Sequence, residues 1–220
     1  MALILNIDTA VDVASLCLAK DGKVLSIAKN ESQKDHASWL HIAIKEIFEK
    51  NNLELGSVDA VAVTGGPGSY TGLRIGMATA KGICFALNRP LISLNTLLVL
   101  ANAAKDESAD LLCPMIDARR MELFTAIYTK ELKIVMDPAA ITLNENSFAE
   151  YLSSNSICFL GNGSNKFKVN EKNSKAFFSD IKTDASSMIS LSEKSFAEKK
   201  FADLAYAEPL YLKEFYTPAK

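Results

Sequence analysis

The chain has 220 residues, 49% of them hydrophobic and 23% charged, with a formal net charge of −2 at pH 7. This composition is typical of a soluble globular protein with a sizeable core. The slightly negative net charge argues against a protein that binds nucleic acid mainly through its own surface, because such binding needs a dense basic patch. No apolar run approaches the length needed to cross a bilayer, and the N-terminal stretch lacks the basic start of a secretory signal. The four cysteines are widely spaced in apolar settings, so we predict reduced, mostly buried thiols in a cytoplasmic protein.

The first half of the chain predicts three strands followed by alternating helices and strands. The opening ALILNID suits a strand buried on both faces, and VASLCLA and KVLSIAK predict a hairpin around a Lys-Asp-Gly-Lys turn. Helices are predicted over about 36–50, 71–87 and 96–104, with the strands VDAVAVT and PLISL between them. The order β-β-β-α-β-α-β-α predicts a mixed sheet covered by helices.

The second half repeats this order without repeating the residues. LCPMID, ELFTAIYTK and LKIVMDPAAIT predict three strands, followed by a helix near 144–153, the strand SICFLGN, and a last helix near 186–200. The polar stretch 162–182 predicts a solvated loop region. The doubled pattern predicts an α/β protein of two similar lobes, residues 1–104 and 105–220.

Residues 64–82 (TGGPGSYTGLRIGMATAKG) form a glycine-rich link from a strand to a helix. A loop that leads into a helix N-terminus can hold an anion on its free N–H groups. This segment lacks the lysine of a P-loop and the spacing of a dinucleotide fingerprint, so a phosphate site is the weaker of two interpretations. The other is a close approach of two backbones.

The helix that follows favours close packing. Gly72, Gly76, Ala80 and Cys84 recur every four residues and form a stripe of small side chains. The helix over 36–50 is apolar over about half its circumference, beyond the roughly 100° stripe that a surface helix needs. Both helices are either wedged deep inside one chain or shared in a bundle with another subunit. On the shared-bundle hypothesis, Gly76→Leu is expected to abolish partner binding while the monomer stays folded.

Residue types that carry catalysis are scarce. His36 and His41 are the only histidines, and their i,i+5 spacing places them about 140° apart on a helix, so they cannot share a metal as an i,i+4 pair would. Asp8 ends the first strand, where actin-like ATPases hold a magnesium-linked carboxylate, but the residues that follow it, TAVDVA, contain neither glycine nor lysine to cradle phosphates. Asp117 takes the equivalent place in the second lobe. The arginines that follow Asp117, at 119 and 120, either bind an anion or pair with nearby acids.

Several stretches together resemble the TsaB (YeaZ) family: NIDTA, GGPGSYTGLRIGMATAKGICFAL, PLISLNTL, MIDARRMELFTAIY, GNG and EPLYLK. They run in the family's order from residue 4 to residue 213, so the resemblance covers nearly the whole chain. It implies the two-lobed fold of the acetate kinase, Hsp70 and actin superfamily, a duplicated RNase H-like fold. The position of Ala10 departs from the family, which often has serine there, and this further weakens the expectation of an ATP site in the first lobe.

The resemblance implies a non-catalytic partner of TsaD, the subunit that transfers threonylcarbamoyl to N6 of adenosine 37 in tRNAs reading codons that begin with A. Thr96 and Leu100 stand where TsaD has its metal-binding histidines, and neither is a plausible metal ligand. No metal or cofactor is expected for this chain alone, while ATP and Mg²⁺ belong to the complex with TsaD and the ATPase TsaE. The chain is expected to form homodimers when the partner is absent and to meet tRNA only through the complex.

The family contact is made by the two helices of the first lobe. The predicted contact residues are His36, Leu40, Ile44, Phe48, Gly72, Gly76, Ala80 and Lys81. A vestigial nucleotide or anion site is predicted at Asp8, Thr9, Asp117 and Arg119. The alternative is an enzyme of the same superfamily, a phosphotransferase or peptidase; the phosphotransferase predicts ATP binding that Asp8→Ala abolishes. A direct tRNA-binding protein is a third reading, which predicts salt-sensitive RNA affinity.

Overall fold

The computed structural model describes residues 2–30, 36–144, 146–169 and 171–213. These residues form two five-stranded sheets, and in each of them the third, second, first, fourth and fifth strands of that sheet lie side by side in this order. In each sheet an antiparallel meander of three strands is extended by two parallel strands. The two orders match strand for strand, so the doubled pattern of the sequence is a duplicated sheet topology.

Four of the five short strands of the first sheet are largely buried, whereas the third is mostly exposed. β1 is buried at every position, and alternate side chains feed two cores: Leu3, Leu5 and Ile7 on one face, Ala2 and Ile4 on the other. The five strands are β1 Leu3–Asp8, β2 Ala14–Lys20, β3 Lys23–Asn30, β4 Ala60–Thr64 and β5 Leu91–Leu94.

The second sheet follows the same plan with a longer meander. Its core contains a cluster of four phenylalanine rings, in which Phe159 lies 4.8 Å from Phe167 and 5.5 Å from Phe148 between ring centroids. The strands are β6 Leu111–Asp117, β7 Glu122–Thr129, β8 Ile134–Thr142, β9 Ile157–Leu160 and β10 Ala176–Ser179.

Helices cover both sheets, and one of them lies between the two. The helices are α1 His36–Lys50, α2 Tyr70–Leu87, α3 Thr96–Ala103, α4 Ala149–Ser154, α5 Ser164–Lys168 and α6 Ile189–Ala197, with 3-10 turns at Leu55–Ser57 and Ala185–Met188. Asn88 ends α2 in the left-handed conformation, and its N–H bonds back to the last turn. Within the described ranges, no helix combines the length and apolar character that a membrane crossing requires.

One helix near the boundary of the lobes, α3, contacts both of them. Leu97, Leu100 and Ala101 of α3 pack into the second sheet's core, while Val99 joins the core on the first sheet. Asn102 of α3 donates to the carbonyl of Ser187 at 2.8 Å, which ties α3 to the turn before α6. The four cysteine side chains, at residues 17, 84, 113 and 158, are free thiols and buried, which confirms the prediction of buried thiols.

Near its C-terminal end the chain does not follow the predicted division into lobes 1–104 and 105–220. Residues 185–197 pack on the first sheet, because Ala185, Met188 and Ile189 belong to the core there. The polar stretch 162–182, predicted as a solvated loop, contains α5 and β10. Sequence patterning missed both because each has only four or five residues, too few for a periodicity to show.

Candidate functional site

The glycine-rich segment links β4 to α2 and lies against the loop that follows β1. The Ser69 N–H donates to the Ala10 carbonyl at 2.7 Å, and the Ser69 hydroxyl caps α2 by accepting from the Gly72 N–H at 3.3 Å. These amides are therefore bonded inside the chain. The geometry favours the close approach of two backbones over a phosphate site.

The small-residue stripe of α2 faces the end of the chain's own first strand. A Cβ at Gly72 would lie 2.0 Å from the Thr9 carbonyl oxygen, and one at Gly76 would lie 2.3 Å from Thr9 Oγ1. Thr9 Oγ1 also donates to the Gly72 carbonyl at 2.7 Å, and Ala80 is fully buried. This corrects the prediction that the stripe meets a second subunit. It also corrects the expectation that Gly76→Leu leaves the monomer folded, since the new side chain would collide with Thr9.

Three predicted contact residues on α1 lie in the monomer's core. Leu40, Ile44 and Phe48 are 0%, 5% and 3% exposed and pack between α1 and the first sheet. They form the core face of an amphipathic helix. This corrects the prediction that they contact a partner directly. Lys81 is half-buried and bonds to the chain's own C-terminal segment. The side chain of His36 lies outside the described residues.

The outward sides of α1 and α2 form a surface that we call the open face, defined by His41, Ile42, Ala78, Gly82 and Phe85. A groove of about 340 Å³ lies between the helices and is lined by His41, Ala78, Thr79, Gly82 and Ile83. Ile42 is 58% exposed and Phe85 is 81% exposed. Apolar side chains this exposed beside a groove are typical of a surface that meets another protein.

A second stripe of small residues runs along the open face. Ala78, Gly82 and Ala86 are spaced by four and all exposed, and no atom lies within 4 Å of a Cβ placed on Gly82. This exposed stripe could be seen in the sequence, because its small residues have the same four-residue spacing as those of the buried stripe. Periodicity alone does not tell which of two such stripes faces the sheet.

Asp8 lies in the interior at the end of β1. It is 3% exposed, and its Oδ1 accepts from the Thr64 hydroxyl at 2.9 Å and from the Ala10 N–H at 3.1 Å. Burial raises the pKa of Asp8, and these two hydrogen bonds only partly oppose the rise. Through these two hydrogen bonds the Asp8 carboxyl group connects the end of β1 to the loop that follows it and to β4.

We predict that Asp8→Asn raises the stability of the isolated chain at pH 7 by about 1–2 kcal/mol. Because burial raises the folded-state pKa of Asp8, its favourable contribution is fully present below the unfolded value and is lost as pH rises through the folded value. Asparagine keeps an acceptor for Thr64 and Ala10 without the buried charge. Thermal melts between pH 4 and pH 8 are expected to show a gain that shrinks towards pH 4.

Asp21→Asn, at the exposed β2–β3 turn, is the matched control and is expected to leave the melting temperature nearly unchanged across this range. A lower melting temperature for Asp8→Asn at pH 7 would contradict the argument, because it would mean that the buried carboxylate is stabilising.

The cleft between the lobes contains the other predicted site residues. A cavity of about 390 Å³ is lined by Asp12, Asp117, Arg119, Arg120, Asn162 and Lys166. Asp117 and Arg119 are thus brought together at its rim, whereas Asp8 and Thr9 are buried beneath α2. Arg119 and Arg120 both adopt positive φ, at 68° and 51°, which turns the chain sharply between β6 and β7.

Oppositely charged groups in the cleft partly neutralise one another. Lys166 Nζ lies 2.5 Å from Asp117 Oδ1 and also donates to the Arg120 carbonyl at 2.6 Å. Burial opposes the change, but Lys166 and the Arg119 N–H together hold the pKa of Asp117 below its ordinary value. The carboxylate therefore stays ionised and paired within the chain.

The prediction missed the residues that complete this cleft. Asn162 Nδ2 donates to Asp12 Oδ2 at 2.9 Å, and Asn162 Oδ1 accepts from the Asp117 N–H at 2.9 Å, so one side chain joins the two lobes. Only the Gly-Asn-Gly motif around Asn162 signalled it. Across the described ranges, no group of three or more His, Cys, Asp or Glu is placed to hold a metal ion.

Comparison with known proteins places these features in a family. The family model described as "TsaD: tRNA N6-adenosine threonylcarbamoyltransferase" matches residues 24–216. The "tRNA threonylcarbamoyladenosine biosynthesis protein TsaB" of Buchnera aphidicola subsp. Baizongia pistaciae is 31% identical over 173 residues, which cover 76% of this chain and 78% of that protein. The chain belongs to the TsaB family. A second TsaB, from Haemophilus influenzae, is 34% identical over 130 residues, covering 58% of this chain and 54% of that protein.

A solved structure confirms the fold of this TsaB-family chain. The protein described as "an uncharacterized protein with similarity to peptidase YEAZ from Pseudomonas aeruginosa" superposes with a TM-score of 0.82 at 24% identity, covering 97% of this chain and all of that one. Two mixed sheets with this topology are of the actin-like, RNase H-like kind, as the resemblance implied. The names of the TsaB relatives support a role in the biosynthesis of threonylcarbamoyladenosine in tRNA.

Proposed function

We propose that this chain is a non-catalytic subunit in tRNA threonylcarbamoyladenosine biosynthesis, which binds and stabilises a TsaD-type catalytic subunit through the open face. The observation that carries the proposal is the open face itself. Two strongly exposed apolar side chains, Ile42 and Phe85, flank a groove with a floor of small residues. Such a groove accepts a helix at close range, because the partner's side chains fill the space left by the small ones.

A partner of the same domain type suits this surface. The TsaD family model covers most of the chain, so the two subunits share an architecture, and the equivalent helices can pair about a pseudo-two-fold axis. The same surface on two copies of this chain satisfies two-fold symmetry as well. A homodimer in the absence of the catalytic subunit is therefore part of the proposal.

The proposal gives catalysis to the partner. Thr96 and Leu100, at the positions that the resemblance assigns to TsaD's metal-binding histidines, are 1% and 5% exposed and lie in the packing of α3. Asp8 is buried and Asp117 is paired with Lys166. In this proposal ATP and Mg²⁺ act at the level of the complex, which includes a TsaE-type ATPase. The chain works in the cytoplasm and meets tRNA through its partners.

Cells depleted of this protein are expected to lose most of the threonylcarbamoyladenosine in their tRNA, because the catalytic subunit is left without its stabilising partner. Mass spectrometry of tRNA nucleosides, with and without a plasmid copy of the gene, measures the loss and its restoration. Unchanged modification after confirmed depletion would contradict the proposal.

The enzyme alternative is separated by ligand binding to the isolated chain. A phosphotransferase of this superfamily predicts ATP binding that Asp8→Ala abolishes, whereas a partner subunit predicts that the isolated chain binds the TsaD-type subunit and no ATP. Calorimetry with ATP and Mg²⁺ on one arm, and with the purified TsaD-type subunit on the other, decides between the two.

A further inference from the structure

The chain after α6 returns to the first lobe as a strap, residues 202–213. Its start forms a single antiparallel bridge with β5, in which the Ala202 N–H donates to the Leu91 carbonyl at 2.8 Å. Ala202, Leu204 and Ala207 pack against the core beneath α2. The strap therefore pairs with the first residue of β5, at the free edge of the sheet.

The middle of the strap is held by one cation on α2. Lys81 Nζ donates to the Ala207 carbonyl at 2.8 Å and to the Ala205 carbonyl at 3.3 Å. Tyr206, between these two residues, is 84% exposed. Lys81 thus fixes the carbonyls on both sides of an outward-pointing aromatic ring, while Asp203 Oδ1 accepts from the Ala205 and Tyr206 N–H groups at 2.9 and 3.3 Å.

The strap then runs along α2 towards the helix N-terminus. The Leu210 N–H donates to the Gly65 carbonyl at 2.7 Å. Tyr211 Oη accepts from Arg74 Nε at 3.1 Å, and its ring centroid lies 5.2 Å from that of Tyr70. The Arg74 guanidinium also lies over the Tyr70 ring, 4.0 Å from its centroid.

The end of the strap reaches the second lobe, where Lys213 pairs with Glu122 of β7. One segment therefore contacts the sheet edge, α2, the glycine-rich loop and the opposite lobe. The strap lies against the glycine-rich loop, because a Cβ at Gly66 would be 2.5 Å from the Leu210 carbonyl oxygen.

The strap marks one border of the open face. With about 100° per residue, Tyr70, Arg74 and Lys81 share a sector of about 40° on α2, and Phe85 begins the open side about 20° further round. The strap lies over the first sector, since it bonds to Arg74 and Lys81. Lys81, which bonds to the backbone on both sides of Tyr206, lies one turn before Phe85 on α2.

We propose that Lys81 is a positioning residue: it clasps the strap to α2 and so sets the border of the surface that receives the partner subunit. This rests on the proposed function for the identity of the partner, whereas the clasp itself rests on the contacts within the chain. Ordering a residue of irregular backbone costs about 1–2 kcal/mol, and each contact that holds the strap offsets part of that cost. A strap already in place spares the partner that cost on binding.

Lys81→Met tests the clasp because it keeps the apolar stem and removes the ammonium donor. Hydrogen–deuterium exchange of the full chain is expected to show at least tenfold faster exchange in peptides covering 205–213, with α1 and β4 unchanged. Lys81→Arg, which can still donate to two carbonyls, is expected to restore protection, and Lys172→Met, at an exposed loop lysine, is the control that leaves it unchanged. Unaltered exchange in Lys81→Met overturns the clasp, and so does faster exchange across the whole first lobe.

The binding arm measures the affinity of the same variants for the TsaD-type subunit. We expect about tenfold weaker binding for Lys81→Met and wild-type affinity for Lys81→Arg. A released strap with unchanged affinity overturns the positioning role. If the wild-type chain itself does not bind the subunit, the proposed function fails, while the exchange experiment still decides whether Lys81 holds the strap.

Discussion

Gly82→Leu is expected to weaken binding of the TsaD-type subunit at least 100-fold while the monomer stays folded. A Cβ on Gly82 meets no atom within 4 Å, so the monomer has room for the larger side chain, and leucine in place of glycine favours the helix by about 0.8 kcal/mol. The same leucine fills the groove between Ala78 and Ala86, where the partner helix is proposed to lie. Calorimetry with the purified partner measures the loss, and circular dichroism checks the fold.

The matched control is Gly56→Leu, since Gly56 also has no atom within 4 Å of its added Cβ but lies in the turn after α1, away from the open face. It is expected to bind as the wild type does. Wild-type affinity in Gly82→Leu would show that the partner does not use the open face. Homodimerisation of the isolated chain, followed by sedimentation, is expected to respond in the same direction.

Gly72→Ala is expected to destabilise the isolated chain by about 3 kcal/mol, near the upper end of what overpacking a core costs. The added methyl would lie 2.0 Å from the Thr9 carbonyl oxygen, which belongs to the backbone and cannot rotate away. The bond from Thr9 Oγ1 to the Gly72 carbonyl would be strained as well. Since about 1 kcal/mol moves the melting temperature of a domain of this size by about 2–4 °C, we expect a fall of about 6–12 °C.

Gly82→Ala makes the same chemical change ten residues further along α2, where the space is open, and is expected to stabilise by about 1 kcal/mol. The opposite signs of two identical substitutions in one helix are the test. Equal effects would mean that helix propensity alone decides, and that the close approach of α2 to the end of β1 has no energetic weight.

Hydrophobic patterning predicted the strands and the longer helices well. α1 was expected over about 36–50 and α2 over about 71–87, and the structure has them at His36–Lys50 and Tyr70–Leu87. The meander of three strands is visible in both halves because each strand is an apolar-rich run bounded by turn residues. The small elements α5 and β10 are missed because five and four residues are too few to show a periodicity.

The candidate site was predicted less well, and α2 shows why. Its two stripes of small residues, one led by Gly72 and one by Ala78, have the same four-residue spacing. The chain uses the first to seat the helix on Thr9 and leaves the second open. In α1, Leu40 and Phe48 likewise belong to the core. The spacing of small or apolar residues predicts that a helix has a packing face. It does not tell whether that face packs against the same chain or against another subunit.

The sequence by itself determined the two similar halves, the glycine-rich approach to a helix, and the motifs that led to the TsaB family. Each of these depends on residues close together in the chain, where periodicity and backbone freedom act directly. Only the tertiary structure decided that Asp8 is sealed inside, that Asn162 joins the two lobes, and that the last residues return to α2. These depend on contacts between residues far apart in sequence, whose meeting is set by the packing of whole sheets and helices.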